Sequence, residues 1–172
     1  MSKVVLIGCG NVGMSYAYSL VNQKTRVSEL VLCDLNKEKC EGEALDLMHA
    51  ISFSPNKMKI YAGDYKDCDK ADIVCICAGR NQNMGETRLD LVKKNFEVFK
   101  SIILEINKTN FCGIYLIATN PLDVMTQITQ KLSGFDKSKV IGSGTILDTA
   151  RLRFLLSEKL GINTKSIHGY VI

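Results

Sequence analysis

A glycine motif close to the N-terminus constrains the fold of this 172-residue chain more than any other feature. Lys3–Ile7 is a short apolar run, long enough for a buried strand and too short for a helix. It continues directly into Gly8-Cys9-Gly10-Asn11-Val12-Gly13, and an amphipathic segment follows. A second apolar run, Leu30–Cys33, ends at Asp34, which lies 21 residues after Gly13. A strand, a G-x-G-x-x-G turn, a helix, a strand and an acid in this order are typical of a dinucleotide-binding unit.

The residues of this motif have separate predicted roles in binding NAD. Gly8 allows the tight turn out of the strand, Gly10 lets the backbone approach a pyrophosphate, and the third glycine lets the helix pack close to the sheet. The free N–H groups at the start of the helix, around Asn11 and Val12, face the phosphates. Asp34 can accept hydrogen bonds from both ribose hydroxyls of the adenosine, and its charge repels the 2′-phosphate of NADP. The alternative is a glycine-rich turn between two packed elements.

Further along the chain, apolar runs alternate with helical segments. Four more strands are predicted, at Met58–Ala62, Asp72–Cys77, Gly113–Ala118 and from Val140–Ile141. The alternation predicts an α/β fold, a parallel, doubly wound Rossmann sheet of strand order 3-2-1-4-5-6. We expect a dinucleotide-binding domain over residues 1–142. Residues 143–172, in which a helix carries more apolar residues than one such sheet needs, are expected to begin a second, substrate domain that this sequence leaves incomplete.

Two of these predicted strands end in residues suited to a binding edge, because ligands of doubly wound folds gather at the carboxyl ends of the strands. Ala78 and Gly79 follow the fourth strand and precede a polar stretch, and Thr119-Asn120-Pro121 follows the fifth. The Asn120–Pro121 bond is a candidate for the cis form. In the intervening helix, Thr87 and Asp90 form a predicted capping pair. The apolar face of that helix is predicted to comprise Leu89, Val92, Phe96, Phe99, Ile103 and Ile106.

The composition restricts the partners and the compartment. The net charge is +4 without a block of like charges, so we expect no nucleic-acid binding. No apolar stretch reaches about 18 residues and the N-terminus has no signal-peptide pattern, which predicts a cytoplasmic protein without a membrane partner. The seven cysteines include no C-x-x-C pair. We therefore expect reduced cysteines and no metal site.

Four segments of the chain together resemble the L-lactate/malate dehydrogenase family. They are Gly8–Gly13, residues 82–95, Thr119–Pro121 and Gly142–Arg151, the last being far more specific than the glycine motif. The resemblance covers the whole chain and implies an NAD-dependent oxidoreductase that moves a hydride between a small 2-hydroxy acid and the nicotinamide. A non-catalytic NAD-binding module is the alternative, although such a module would not need the charged residues described next.

The resemblance implies roles at the substrate for four residues. Arg151 matches the arginine that binds the substrate carboxylate, and Arg88 matches the arginine, at the end of a mobile loop, that polarises the keto oxygen. Asp148 matches the carboxylate that orients the catalytic histidine, and Asn120 matches an asparagine beside the nicotinamide and the substrate. Structural alternatives are a helical ion pair between Asp148 and Arg151, a capping box of Thr145 with Asp148, a solvated Arg88, and a turn role for Asn120.

Gln82 indicates which substrate is favoured within the family. It lies six residues before Arg88, where malate dehydrogenases carry an arginine that meets the second carboxylate of oxaloacetate. A neutral glutamine leaves that carboxylate unpaired, which is costly, and it suits the methyl group of pyruvate. L-Lactate is therefore the favoured substrate. Longer 2-hydroxy acids, malate, and a plain loop position for Gln82 are the alternatives.

The C-terminal residues carry the last expectations. In the family, the catalytic histidine lies in Gly-Glu-His-Gly-Asp, directly after a strand like Ile167–Ile172, so the resemblance implies that His168 is not the base. It also implies that this sequence stops before the base, and we expect the 172-residue piece to bind NADH but to turn over little pyruvate. In bacterial tetramers activated by fructose bisphosphate, residues matching Arg153 and His168 bind the effector's phosphates across a subunit interface. Ordinary structural positions for both residues are the alternative.

Overall fold

The computed structural model describes residues 2–80 and 85–172, without the side chain of Arg88. The predicted substrate roles of Gln82 and of the Arg88 guanidinium therefore lie outside the described residues. The chain divides into two compact units, Met1–Gly142 and Ser143–Ile172.

The first unit is built on a parallel sheet. Within the described residues its strands are β1 (Ser2–Ile7), β2 (Val27–Cys33), β3 (Lys59–Ala62), β4 (Ile73–Ile76), β5 (Ile114–Ile117) and β6 (Val140–Gly142). Every neighbouring pair is parallel, and the order across the sheet is β3-β2-β1-β4-β5-β6. The predicted doubly wound α/β fold and its strand order are confirmed. The strand ends agree with the predicted ones to within three residues, and the largest difference is the earlier start of β2.

The central strands are apolar at consecutive positions because both faces of the sheet are covered. Side chains alternate between the faces, so Val4 and Leu6 of β1 pack in one apolar cluster and Val5 and Ile7 in another. The first cluster includes Ala17 and other residues of the helices that follow β1 and β2. The second includes residues of the helices that follow β4 and β5.

Five α-helices occur in the described parts of the chain, and their ends follow local signals. They are α1 (Asn11–Asn22), α2 (Lys37–Ala50), α3 (Arg88–Ile106), α4 (Leu122–Ser133) and α5 (Ile146–Leu160). The Asn36 side chain caps α2 by accepting a hydrogen bond from the Lys39 N–H. The predicted capping pair of Thr87 and Asp90 is present at the start of α3. A left-handed glycine, Gly134, ends α4.

The buried face of α3 differs from the predicted one at its N-terminal end. Leu89, which the periodicity predicts on the apolar face, is 73% exposed, whereas Leu91 is buried. The buried stripe continues from Leu91 through Asn95 to Phe99, at intervals of four residues, and then to the isoleucines of the C-terminal half. A polar residue thus occupies a position on the face of the helix that packs into the core.

The second unit consists of α5, a short 3-10 turn at Thr164–Ser166, and the segment that follows it. The predicted strand over Ile167–Ile172 is wrong, because these residues form no regular structure. A strand needs a neighbour for its backbone groups, and residues 143–172 contain none. The backbone of Val171 is bonded instead to α5 and its N-cap: its N–H donates to Thr149 Oγ1 and its carbonyl accepts from Thr145 Oγ1.

The described residues contain neither a helix that could span a membrane nor a cluster of metal-binding side chains. None of the helices in residues 2–80 and 85–172 is long and apolar enough to cross a membrane. In the same parts of the chain, no group of three or more histidine, cysteine, aspartate or glutamate residues is placed to hold a metal ion.

Candidate functional site

The glycine loop after β1 is shaped by two close approaches of backbone to backbone. Gly8 has φ +99°, a left-handed conformation that side chains disfavour, and a Cβ there would lie 2.4 Å from the Ala78 nitrogen. A Cβ at Gly13 would lie 2.0 Å from the Gly8 carbonyl oxygen. Because neither position has room for a side chain, the first turn of α1 packs directly against the end of β1. These contacts match the turn and packing roles predicted for both glycines.

Gly10, by contrast, faces open space. A Cβ at this position would meet no heavy atom within 4 Å. Gly10 is the N-cap of α1, so no side chain caps the helix, and the first turn contains no acidic residue. The positive end of α1 and its free N–H groups, including those of the exposed Asn11 and Val12, are therefore available to an anion.

Asp34 is attached to the glycine loop through its carboxylate. Its Oδ2 accepts a hydrogen bond of 2.7 Å from the Cys9 N–H, and its Oδ1 accepts one of 3.0 Å from the Asn36 N–H. Each carboxylate oxygen keeps a second lone pair that can accept a ribose hydroxyl. Lys39 Nζ donates to the Cys9 carbonyl over 3.1 Å, which ties α2 to the same loop. Sequence reasoning missed Lys39, whose contact spans 30 residues.

The side chain of Cys9 packs in the apolar core and does not face the exposed start of α1. Its Sγ is buried and lies 3.7 Å from the Cys40 Sγ. Burial, with a further contribution from Cys40, raises the pKa of the Cys9 thiol far above its ordinary value. The cysteine within the motif is therefore a neutral packing residue, and it places no negative charge near a bound phosphate.

The ends of β4 and β5 form the neighbouring part of the edge. Thr119 Oγ1 donates to the Ala78 carbonyl over 2.8 Å, which joins the two strand ends. Gly79 lies against Thr119, because a Cβ there would be 2.6 Å from the threonine Cγ2. Asn120 is exposed, and its bond to Pro121 is cis, as predicted. Ala78, Gly79 and Asn120 thus lie side by side in space.

The Asn95 side chain connects the residues that follow these two strands through two hydrogen bonds. It is 1% exposed; its Oδ1 accepts from the Arg80 N–H and its Nδ2 donates to the Asn120 carbonyl, both over 2.8 Å. Sequence reasoning missed this residue, although an asparagine at a four-residue interval between Leu91 and Phe99 was a usable signal.

In the second unit, Asp148 and Arg151 lie together on α5. Arg151 Nη1 lies 3.2 Å from Asp148 Oδ1, and the two side chains are 66% and 55% exposed. This is the helical ion pair that the sequence offered as an alternative for Arg151. The other alternative, a Thr145–Asp148 capping box, is absent, because no side chain caps α5 at Thr145.

Arg153 and His168, the two residues matched to an effector site, belong to the same unit. Arg153 Nε donates to the Gly169 carbonyl over 3.0 Å, and its guanidinium lies 4.7 Å from the centre of the Tyr170 ring. The guanidinium is therefore held beside the residue that follows His168, whose own side chain is exposed.

Comparison with known proteins identifies the family. The model of the lactate/malate dehydrogenase NAD-binding domain matches residues 2–142. The chain belongs to the lactate/malate dehydrogenase family. The resemblance found in the sequence motifs is thereby confirmed, and the first unit is the NAD-binding domain of this family.

Individual family members are similar over the whole chain. L-lactate dehydrogenases of Bacillus licheniformis and a Geobacillus species are 54% and 55% identical over 172 residues, which is 100% of this chain and 54% of each relative. A crystal structure of the minor L-lactate dehydrogenase of Enterococcus mundtii has a TM-score of 0.94 at 44% identity, covering 99% of this chain and 54% of that one. The crystal structure of a lactate dehydrogenase from a deep-sea metagenome has a TM-score of 0.90 at 54% identity, and the match covers 95% of this chain and 52% of that one. The chain thus spans about half the length of these relatives.

Proposed function

We propose that this chain forms the NAD-binding part and the first substrate-binding residues of an NAD-dependent L-lactate dehydrogenase. The observation that carries the proposal is the identity of 54–55% with bacterial L-lactate dehydrogenases along the full chain. The open glycine loop and the anchored Asp34 carboxylate fit the cofactor, which supplies a nicotinamide ring for hydride transfer when it is bound. The test is pyruvate-dependent oxidation of NADH by the natural full-length protein.

In the NAD-binding domain, backbone and side-chain groups bind the dinucleotide and orient it. The N–H groups at the start of α1 hold the pyrophosphate, and the absence of a side chain at Gly10 allows the close approach. Asp34 accepts the hydrogen bonds of the adenosine ribose while two backbone N–H groups fix its orientation. Ala78, Gly79 and Asn120 line the adjacent edge, where the nicotinamide half of the dinucleotide extends.

The substrate is held by charge. Arg151 pairs with the carboxylate of pyruvate through its planar guanidinium, and its 66% exposure leaves N–H groups free for this contact. Arg88 stabilises the negative charge that develops on the keto oxygen during reduction. Asp148, which lies beside Arg151, orients and stabilises the catalytic histidine contributed by the remainder of the enzyme.

Gln82 selects pyruvate over oxaloacetate in this proposal. Replacing it supplies the missing countercharge, so Gln82→Arg in the natural full-length protein is expected to shift the ratio of kcat/KM values toward oxaloacetate. Asn83→Arg, in the same polar stretch, is the matched control for an added charge. An unchanged ratio in Gln82→Arg, or an equal shift in both variants, would contradict the role of Gln82.

We further propose that the enzyme acts in the cytoplasm, in pyruvate fermentation after glycolysis, as a homotetramer activated by fructose bisphosphate. Arg153 and His168 would bind the effector's phosphates, because cations that face each other across a two-fold axis repel until a dianion bridges them. The support is the exposed His168 side chain and the Arg153 guanidinium, which is hydrogen-bonded to the carbonyl of the next residue, Gly169. Pyruvate saturation should respond to fructose bisphosphate in the wild type and in His49→Ala, but not in His168→Ala. Identical wild-type curves with and without the effector would refute the regulatory site.

A further inference from the structure

Asn95 is a buried polar side chain that connects the loops after β4 and β5, where the nicotinamide half of the dinucleotide is proposed to bind. Its amide oxygen accepts the Arg80 N–H, and its amide nitrogen donates to the Asn120 carbonyl, each over 2.8 Å. The partners lie 15 and 25 residues away in the chain, at the ends of different strands. With 1% exposure, the side chain has no access to water that could replace either partner.

The two loops are also in direct contact, so a displacement of one affects the other. Thr119 Oγ1 donates to the Ala78 carbonyl, and Gly79 packs against the Thr119 methyl group. A Cβ at Gly79 would also lie 3.5 Å from Asn95 Oδ1. The Asn95 side chain therefore packs against the backbone of Gly79 and Arg80.

We infer that Asn95 is a positioning residue that sets the spacing between the Ala78–Arg80 loop and Asn120, and thereby the binding of the nicotinamide half of the dinucleotide. The inference rests on the proposed function. In a doubly wound fold the adenosine half binds at the β1–β2 side, here at Asp34, and the other half crosses to the β4–β5 side. Asn95 is bonded to the loops on that second side, and its hydrogen bonds within the described part of the chain go to no group assigned to the adenosine.

An amide is suited to this position because it carries a donor and an acceptor on one planar group. Leucine has a similar volume and neither function. An ionised aspartate can accept from the Arg80 N–H, but it cannot donate to the Asn120 carbonyl. A protonated aspartate has both functions again, and burial facing a carbonyl oxygen favours the protonated form. The charged side chains next in sequence to these contacts are Arg80, which is exposed, and Lys94, which is paired with Glu86.

The experiment compares the dissociation constants of NADH and ADP in the 172-residue chain by calorimetry, because ADP lacks the nicotinamide and its ribose. In Asn95→Leu, the preference for NADH over ADP is expected to fall about tenfold, because both hydrogen bonds that connect the two loops are lost. Asn95→Asp should show the same loss at pH 8.5 and recover most of the preference at pH 6.0. The wild-type preference should change little between these pH values.

Asn56→Asp provides the matched control. Asn56 is also a buried asparagine, and it bonds the carbonyls of Leu20, Val21 and Gln23 at the opposite end of α1. This variant is expected to melt at a lower temperature with an unchanged NADH-to-ADP ratio. If Asn95→Leu does not fold, Asn95→Asp at the two pH values decides the question.

The outcomes separate the inference from the proposed function. A wild-type chain that binds neither NADH nor ADP would overturn both. A wild type that prefers NADH, with Asn95 variants that weaken NADH and ADP equally or leave both unchanged, would overturn the positioning role alone. A folded Asn95→Asp without recovery at pH 6.0 would do so as well.

Discussion

Replacing Gly13 by alanine should lower the free energy of unfolding, because the added methyl group has no room. The new methyl carbon would lie 2.0 Å from the Gly8 carbonyl oxygen, 3.2 Å from the Gly8 carbonyl carbon and 3.4 Å from the Cys77 Cβ. Carbon and oxygen atoms ordinarily approach to about 3.3 Å, so backbone must move by more than about 1 Å. Flexible side chains cannot absorb this shift, because the nearest atoms belong to the backbone.

The expected loss in free energy of unfolding is about 3 kcal/mol, at the upper end of the range for overpacked sites. For a domain of this size, that corresponds to a melting temperature about 6–12 °C below the wild type. Gly10→Ala is the matched control, because Gly10 has φ −80° and ψ −174° and no heavy atom within 4 Å of the added carbon. Its free energy of unfolding should stay within about 0.5 kcal/mol of the wild type.

The affinity for NADH is expected to fall in Gly10→Ala, the variant whose stability is nearly unchanged. Gly10→Ala should weaken NADH about tenfold or more at nearly unchanged stability, because the methyl group fills the space through which the pyrophosphate approaches. The assays are thermal or urea unfolding followed by circular dichroism, and fluorescence titration with NADH. A Gly13→Ala variant that melts within about 2 °C of the wild type would refute the packing argument, and an unchanged NADH affinity in Gly10→Ala would refute the binding argument.

Three further predictions concern single side chains. Asp34→Ser should weaken NADH binding more than NADPH binding in fluorescence titrations, because it removes an acceptor for the ribose and the charge that repels a 2′-phosphate; an equal loss for both would remove the ribose role. Burial favours the neutral carboxyl of Asp67, but hydrogen bonds from the Asp64 N–H, Tyr61 and Lys3 outweigh it and lower the pKa. The stability that Asp67 contributes is therefore present above the ordinary carboxyl pKa near 4 and is lost as the pH falls through the lowered value, so urea unfolding of Asp67→Asn should show lower stability at neutral pH and a flatter acid profile. The buried Tyr115 hydroxyl has no hydrogen-bond partner among the described residues, so Tyr115→Phe should raise the free energy of unfolding by about 1 kcal/mol, and a lower melting temperature would contradict this.

The sheet could be predicted from the sequence because its determinants are local. Each strand is a short apolar run, α2 and α3 begin at capping residues, and α4 ends at a glycine. Right-handed crossovers then leave few possible strand orders. The strand at Ile167–Ile172, which the family resemblance implied, does not form, because residues 143–172 contain no neighbouring strand with which its backbone could pair. Leu89 was assigned to the apolar face of α3 on periodicity, but it lies in the first turn, before the helix meets the core.

The candidate site was predictable only in part. The glycines and Asp34 follow a fixed spacing, so the motif located them. Asn95 and Lys39 act through hydrogen bonds to backbone atoms that are 15 to 30 residues away, and no spacing rule encodes such contacts. An asparagine in an amphipathic helix is normally assigned to the solvent face, which is why its burial was not anticipated.

The central position of β1 has a consequence for the order of assembly during synthesis. Val4 pairs with Leu30 of β2, 26 residues away, and with Ile73 of β4, 69 residues away. Closing the longer loop costs about 0.9 kcal/mol more in chain entropy. The three strands β1, β2 and β3, with α1 and α2, can therefore assemble on the ribosome before β4 has emerged. Until then, the second edge of β1 is an unpaired apolar strand, which is the type of surface that chaperones protect and that aggregation exploits.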